Sequence, residues 1–201
     1  MKPVLSLVLG LIVACAPSED GADQAAATPT VPPVVVLETD LGDIVMELAP
    51  ERAPETVANF LVHVRGGFYN GLTFHRIMPG FVIQTGQVQS DSNRRTSNAT
   101  AVPNENPNGL SNTRGTVAMA RAGHPHSAIA EFYFNLVDNS EALDFRDSTM
   151  QGFGYVVFGR VTSGMAVVDS IGRIRTQRFV SHPTFPTVPP VIRRAYVREP
   201  S

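Results

Sequence analysis

Hydrophobic positions along this chain fall into three regimes. Over 4–14 they run almost unbroken, relieved only by Ser6 and Gly10. Over 16–33 large apolar residues nearly vanish, and from Val34 onward short apolar runs alternate with turn residues. Val34–Thr39 is β-branched and strand-like. After the turn signal Leu41-Gly42-Asp43, Ile44, Met46 and Leu48 alternate with polar or small neighbours, which completes a hairpin. The period then changes. Val57, Phe60, Leu61 and Val64 follow i, i+3, i+4, i+7, with Pro54 suited to a first turn, Glu55 to the positive end and Gly66-Gly67 to the stop. Strand-like runs follow at 72–78, 81–88, 115–120, 131–137 and 155–161, then a helix at 164–171 and a last strand at 191–197. Six to eight strands with two helices predict a mainly β domain, a closed or nearly closed antiparallel barrel capped by helices. The polar stretch 90–113, rich in Asn, Pro and Ser, is long enough to be functional or disordered.

The first regime reads as an address. Met1-Lys2-Pro3 is a short positive start, and the apolar run behind it is too short to span a membrane and stay there. It ends in Ile12-Val13-Ala14-Cys15, which resembles the bacterial lipoprotein box: cleavage after residue 14 and acylation of the Cys15 thiol. Several acyl chains, at about 0.8 kcal/mol per buried CH₂, would hold firmly. Ala16 and Pro17 behind the cysteine, with no acidic residue, resemble outer-membrane sorting. The second regime is Ala, Thr, Pro, Asp and Glu and cannot bury enough surface to offset its ordering entropy. Pro29, Pro32 and Pro33 stiffen it, so residues 15–33 are expected to tether a folded domain, 34–201, within about 55 Å of a membrane.

Composition sharpens this division. Of 201 residues, 43% are hydrophobic and 17% charged, with a net charge of −2, so there is no global attraction to nucleic acid. Cys15 is the single cysteine and Lys2 the single lysine. An intramolecular disulfide and a cysteine metal cluster are excluded. His124-Pro125-His126 has no acid or third histidine nearby in sequence and reads as a solvated loop rather than a metal corner.

Polar residues inside apolar strands carry the chemistry. Arg76 sits within Phe74-His75-Arg76-Ile77-Met78 and Gln84 within Phe81-Val82-Ile83-Gln84. A guanidinium there must face solvent, pair with an acid or line a site. The whole string from Phe74 to Gly86, with Pro79-Gly80 between the two runs, closely resembles the signature of cyclophilins, the peptidyl-prolyl cis-trans isomerases. The similarity extends over 34–197: Phe68-Tyr69-Asn70-Gly71-Leu72-Thr73, Gly115-Thr116-Val117-Ala118-Met119-Ala120-Arg121 and Tyr155-Val156-Val157-Phe158-Gly159-Arg160-Val161 all look like family segments. Asn108-Gly109-Leu110-Ser111-Asn112-Thr113-Arg114 resembles the bacterial periplasmic branch, in accord with the export signal. The resemblance implies a closed eight-stranded antiparallel barrel capped by two helices, and isomerisation of X-Pro bonds in polypeptide segments by a monomer without cofactor or metal.

It also implies roles. Arg76 would act on the twisted amide and Gln84 would bind the substrate backbone and place Arg76. Phe81, Val82, Tyr133 and Leu143 would form the proline pocket, and the backbone at Ala120 and Arg121 would pair with the extended peptide. Three departures stand out. The family's Gln-Phe-Phe run is Glu131-Phe132-Tyr133 here, so Glu131 could pair with Arg76 or Arg121 and compete with substrate, and the Tyr133 hydroxyl needs a partner. Val82 is smaller than the usual Met, and Ala142 stands where eukaryotic members carry the tryptophan that grips cyclosporin, so weak cyclosporin binding is expected. Glu131 and Tyr133 leave open a peptide-binding or chaperone module with little catalysis. The 90–113 loop leaves open a structural lipoprotein that docks another envelope component.

Overall fold

The computed structural model describes residues 31–179 and 182–199; the signal and acylation expectations, Cys15 included, lie outside them. The first hairpin forms as its pattern predicts. β1 (Val34–Thr39) and β2 (Gly42–Leu48) pair antiparallel. Their turn is closed by the Thr39 hydroxyl, which donates to Gly42 O at 2.6 Å and accepts from Leu41 N at 3.1 Å. α1 (Pro54–Arg65) buries Val57, Phe60, Leu61 and Val64, the four positions its periodicity marks. Phe60 lies at the middle of an aromatic cluster, with the Tyr69, Phe132 and Phe158 rings 5.0–5.3 Å away.

No side chain of the Ala53 N-cap satisfies the first N–H groups of α1. Glu105 does so from the long loop: its carboxylate accepts from Glu55 N at 3.0 Å and from Thr56 N at 2.9 Å, and also from the Thr56 hydroxyl. Other side chains of the loop bind outward in the same way. Asn104 donates to Gly154 O, Asn106 to Phe153 O and Asn108 to Val157 O. The polar stretch is therefore a strap that joins the start of α1 to the segment before the seventh strand.

The remaining strands are β3 (Arg76–Met78), β4 (Val82–Thr85), β5 (Thr116–Met119), β6 (Phe132–Asn135), β7 (Val157–Ser163) and β10 (Ile192–Arg198). They join β1 and β2 in one antiparallel eight-stranded sheet of order β10-β1-β2-β7-β5-β6-β4-β3. The expected closed barrel is corrected here. β3 and β10 form the two ends of the sheet, with no ladder between them among the described residues. They approach through one bridge, Thr73 to Val191, and bonds such as Ile192 N to Leu72 O at 2.8 Å and Phe74 N to Pro190 O at 3.2 Å. Pro189 and Pro190 have no N–H to donate, so a ladder cannot run back from β10 along this seam. The result is a half-barrel.

The helix count is corrected too. α3 (Met165–Gly172) matches the expected second helix, and a single turn, α2 (Ser140–Leu143), stands between the strands expected at 131–137 and 155–161, where no element was predicted. A separate hairpin of β8 (Thr176–Phe179) and β9 (His182–Pro186) precedes β10. The main core lies between the sheet and the helices, with Leu37, Ile44, Met46, Phe60, Ile83, Phe132, Phe134 and Phe158 among its buried residues. A second, smaller cluster of Val82, Ala118, Tyr133, Leu143 and Val157 occupies the opposite face.

Candidate active site

Strand alternation sorts residues between these two clusters, which accounts for an arginine inside an apolar strand. In β3, β4, β5 and β6 the core takes Ile77, Ile83, Val117, Phe132 and Phe134. Their neighbours point to the other face. Register then aligns Arg76 with Gln84, Gln84 with Tyr133, Tyr133 with Ala118 and Ala118 with Val157. One row across five strands thus grades from a cation, through an amide and a phenol, to aliphatic side chains.

Arg76, Gln84 and Tyr133 of this row line a groove of about 420 Å³. Of the residues singled out from the sequence, Arg76, Phe81, Val82, Gln84, Ala120, Arg121, Tyr133 and Leu143 all line it. α2 delivers Leu143, and Tyr155 N donates to Leu143 O at 2.9 Å. Tyr155 completes the wall, a residue the sequence reading passed over; its only signal was an aromatic at the head of a predicted strand.

Glu131 sits elsewhere. It lines a neighbouring hollow of about 230 Å³ that shares Gln84, Ala120 and Arg121 with the groove. Contrary to expectation it bonds to neither arginine of the groove. Gln84 Nε2 donates to its Oε2 at 2.7 Å, His75 Nε2 lies 3.4 Å from the same oxygen, and Arg94 Nη2 lies 3.9 Å from Oε1. Arg76 Nη1 donates to Gln84 Oε1 at 3.0 Å. Burial pushes the Glu131 carboxyl up, but the hydrogen bonds from His75 and Gln84 with the charges of His75 and Arg94 outweigh it and hold the group below the usual carboxylate range. Gly86 makes this placement possible. Its φ is +106°, and a Cβ there would lie 2.5 Å from Ala130 O and 2.8 Å from Glu131 Cα.

Arg121 is a wall rather than a partner for the acid. Its guanidinium donates to Gly154 O and Met150 O, both at 3.0 Å, and lies 4.7 Å from the centre of the Tyr155 ring. Ala120 N donates to Glu131 O at 2.9 Å, so that donor is already engaged within the protein.

The Tyr133 hydroxyl donates to Asn112 Oδ1 at 2.8 Å, beneath the groove. Burial drives its pKa well above the ordinary phenol value. Asn112, only 1% exposed, also accepts from Asn135 Nδ2 and donates to Asp144 Oδ1, Leu143 O and Tyr155 O. Asn139 extends the network, donating to Asn135 Oδ1 at 2.8 Å and Phe81 O at 2.9 Å. These three asparagines tie the pocket walls together from below; Asn135 ends β6 and Asn139 precedes α2, and polarity alone did not mark any of the three as buried. His126 Nδ1 accepts from Asn104 N at 2.9 Å, a loop contact. Among the described residues no group of three or more His, Cys, Asp or Glu side chains could hold a metal ion.

Comparison with known proteins places this geometry. Residues 34–197 match the family model described as Cyclophilin type peptidyl-prolyl cis-trans isomerase/CLD. The chain is 44% identical over 166 residues to peptidyl-prolyl cis-trans isomerase B of Escherichia coli K12, spanning 83% of this chain and all of that protein. It is 41% identical over 163 residues to peptidyl-prolyl cis-trans isomerase A of Dickeya dadantii, spanning 81% of this chain and 83% of that one. In fold it is similar to a cyclophilin-type isomerase of Cryptosporidium parvum crystallised in the presence of the dipeptide Ala-Pro, with a TM-score of 0.69 at 20% identity over 83% of this chain and 99% of that chain. A family match across nearly all of the described domain, and close relatives that share the activity, lead to one conclusion: the chain belongs to the cyclophilin family and is a peptidyl-prolyl cis-trans isomerase.

Proposed function

We propose that the groove takes an extended X-Pro segment, with the ring against Phe81, Val82, Tyr133 and Leu143 and the amide nitrogen towards Arg76. The observation that carries this reading is the groove's lining, in which the Arg76 guanidinium and the Gln84 amide share one hollow with Phe81, Val82, the Tyr133 ring and Leu143. The relative crystallised with Ala-Pro supports the choice of ligand. Partial double-bond character opposes rotation of the X-Pro amide by ~18–20 kcal/mol. Twisting the amide removes conjugation and leaves a lone pair on nitrogen. A guanidinium aimed at that atom binds the twisted state better than either planar state and so lowers the barrier without a covalent step.

Arg76→Ala tests this directly. The variant is expected to lose about 100-fold in kcat/KM on an X-Pro peptide, the scale of removing one preorganised donor, with its melting temperature nearly unchanged. Near-full activity measured by NMR exchange would refute the assignment. The biological setting is a proposal as well: a domain carried on the 15–33 tether, acylated at Cys15, periplasm-facing and bound most simply at the outer membrane, acting as a monomer on the folding of exported proteins. The lipoprotein-like sequence at Ile12-Val13-Ala14-Cys15 supports this reading.

A further inference from the structure

Arg76, Gln84 and Glu131 form a chain whose two ends have opposite hydrogen-bonding limits. A guanidinium only donates and an ionised carboxylate only accepts, while the amide between them can turn either way. Gln84 accepts from Arg76 through Oε1 and donates to Glu131 through Nε2. The reversed amide would set an NH₂ against a guanidinium and a carbonyl against a carboxylate, two repulsive contacts at once. Only one orientation satisfies both ends.

We propose that Glu131 is a positioning residue for the isomerase reaction: its carboxylate fixes the Gln84 amide with the oxygen towards Arg76 and, through it, fixes the direction of the guanidinium. This rests on the reading of Arg76 as the group that meets the twisted amide. A glutamine at this position, the residue the family resemblance leads one to expect, can present either a donor or an acceptor and dictates no orientation to Gln84.

The surroundings of Glu131 argue against an ordinary surface ion pair. Its side chain is 25% exposed, against 57% for Arg94, the nearest cation. The other titratable group facing it is His75, from the segment before β3. Arg95 and Arg121 line the same hollow, but Arg95 donates to Phe68 O and Asn70 O at 2.7 Å, and Arg121 to the carbonyls of 150 and 154. The carboxylate is ionised at neutral pH, since its partners hold its pKa below the usual range. A guanidinium fixed in advance needs no reorganisation when the amide twists. Glu131 should therefore act mainly on turnover, because it lines the neighbouring hollow and not the groove that takes the peptide.

The test compares the full chain, Glu131→Gln and Arg76→Ala by NMR exchange on an X-Pro peptide, from pH 7 down through the lowered titration range of Glu131. At pH 7, Glu131→Gln is expected to lose about 5- to 10-fold in kcat, the difference between a charge-assisted and a neutral hydrogen bond, with little change in peptide affinity. The wild-type rate should fall as pH drops through the Glu131 titration and converge on the variant, whose own rate stays flat over that range. Full activity in Glu131→Gln, an acid limb in both proteins, or an equal loss of peptide affinity overturns the proposal. If Glu131→Gln fails to fold, Glu131→Asp keeps an acceptor-only group and must retain the acid limb; its absence overturns the proposal too. Loss in Arg76→Ala without loss in Glu131→Gln defeats the positioning role alone. Retention in Arg76→Ala defeats the reading beneath it.

Discussion

At Tyr133 the chain adds a hydroxyl to the proposed proline pocket and directs it downward. The group donates to Asn112 beneath the groove, so it is the ring that Tyr133 would offer to a bound segment. Tyr133→Phe is expected to cost about 1 kcal/mol of stability, because Asn112 Oδ1 loses one of its two donors and keeps Asn135. Thermal denaturation should register this as about 2–4 °C, with kcat/KM within about two-fold of wild type. Glu131 makes a second prediction, for stability. Its folded pKa lies below its unfolded value, so its ionised form contributes stability that is fully present above the ordinary carboxylate range. That contribution is lost as pH falls through the lowered folded value. Melting temperature against pH should show this acid component in wild type and lack it in Glu131→Gln. Arg76 and Gln84 were legible in the sequence through the family-like string from Phe74 to Gly86, since an arginine in an apolar strand by itself reads more readily as a solvated face. The orientation of Gln84 was not, since it depends on which atoms of Arg76 and Glu131 flank it across strands.

Among the elements, α1 shows both the reach and the limit of periodicity. Its buried face follows from four residues at helical spacing, whereas its N-terminal cap comes from Glu105, 49 positions from Thr56 in sequence. Glu105→Ala is expected to destabilise the fold by about 1–2 kcal/mol, the usual loss on removing a cap, measurable by urea titration. The same loop that capped the helix read as functional or disordered from its polarity alone. Its asparagines and Glu105 satisfy backbone groups on distant segments, and such pairings have no sequence period. β8 and β9 were missed because each is short and Pro183 and Pro186 mask the strand pattern. At the close of β4, Gly86→Ala would force a Cβ against Ala130 O at a positive φ. It should cost about 2–4 kcal/mol and displace Glu131, lowering melting temperature and kcat together.

Across the whole molecule, the eight strands curl without closing, and the seam at 71–74 and 190–192 is held by a few backbone bonds. The candidate groove lies on the face of that sheet opposite the main core, with lining residues from β3, β4 and β6. Acylation at Cys15 predicts that labelled palmitate is incorporated into the wild-type chain. Cys15→Ala should abolish labelling and move the protein to the soluble fraction, with activity on a free X-Pro peptide unchanged. The eight strands of the main sheet, the buried face of α1, the family and eight of the nine residues that line the groove were readable from the chain, because strand alternation, helical period and a thirteen-residue string from Phe74 to Gly86 are local properties. Whether the barrel closes, where Glu131 binds and what satisfies Tyr133 and the start of α1 were settled by the packed fold. Each depends on groups far apart in sequence that meet only when the sheet has curled and the long loop has crossed it.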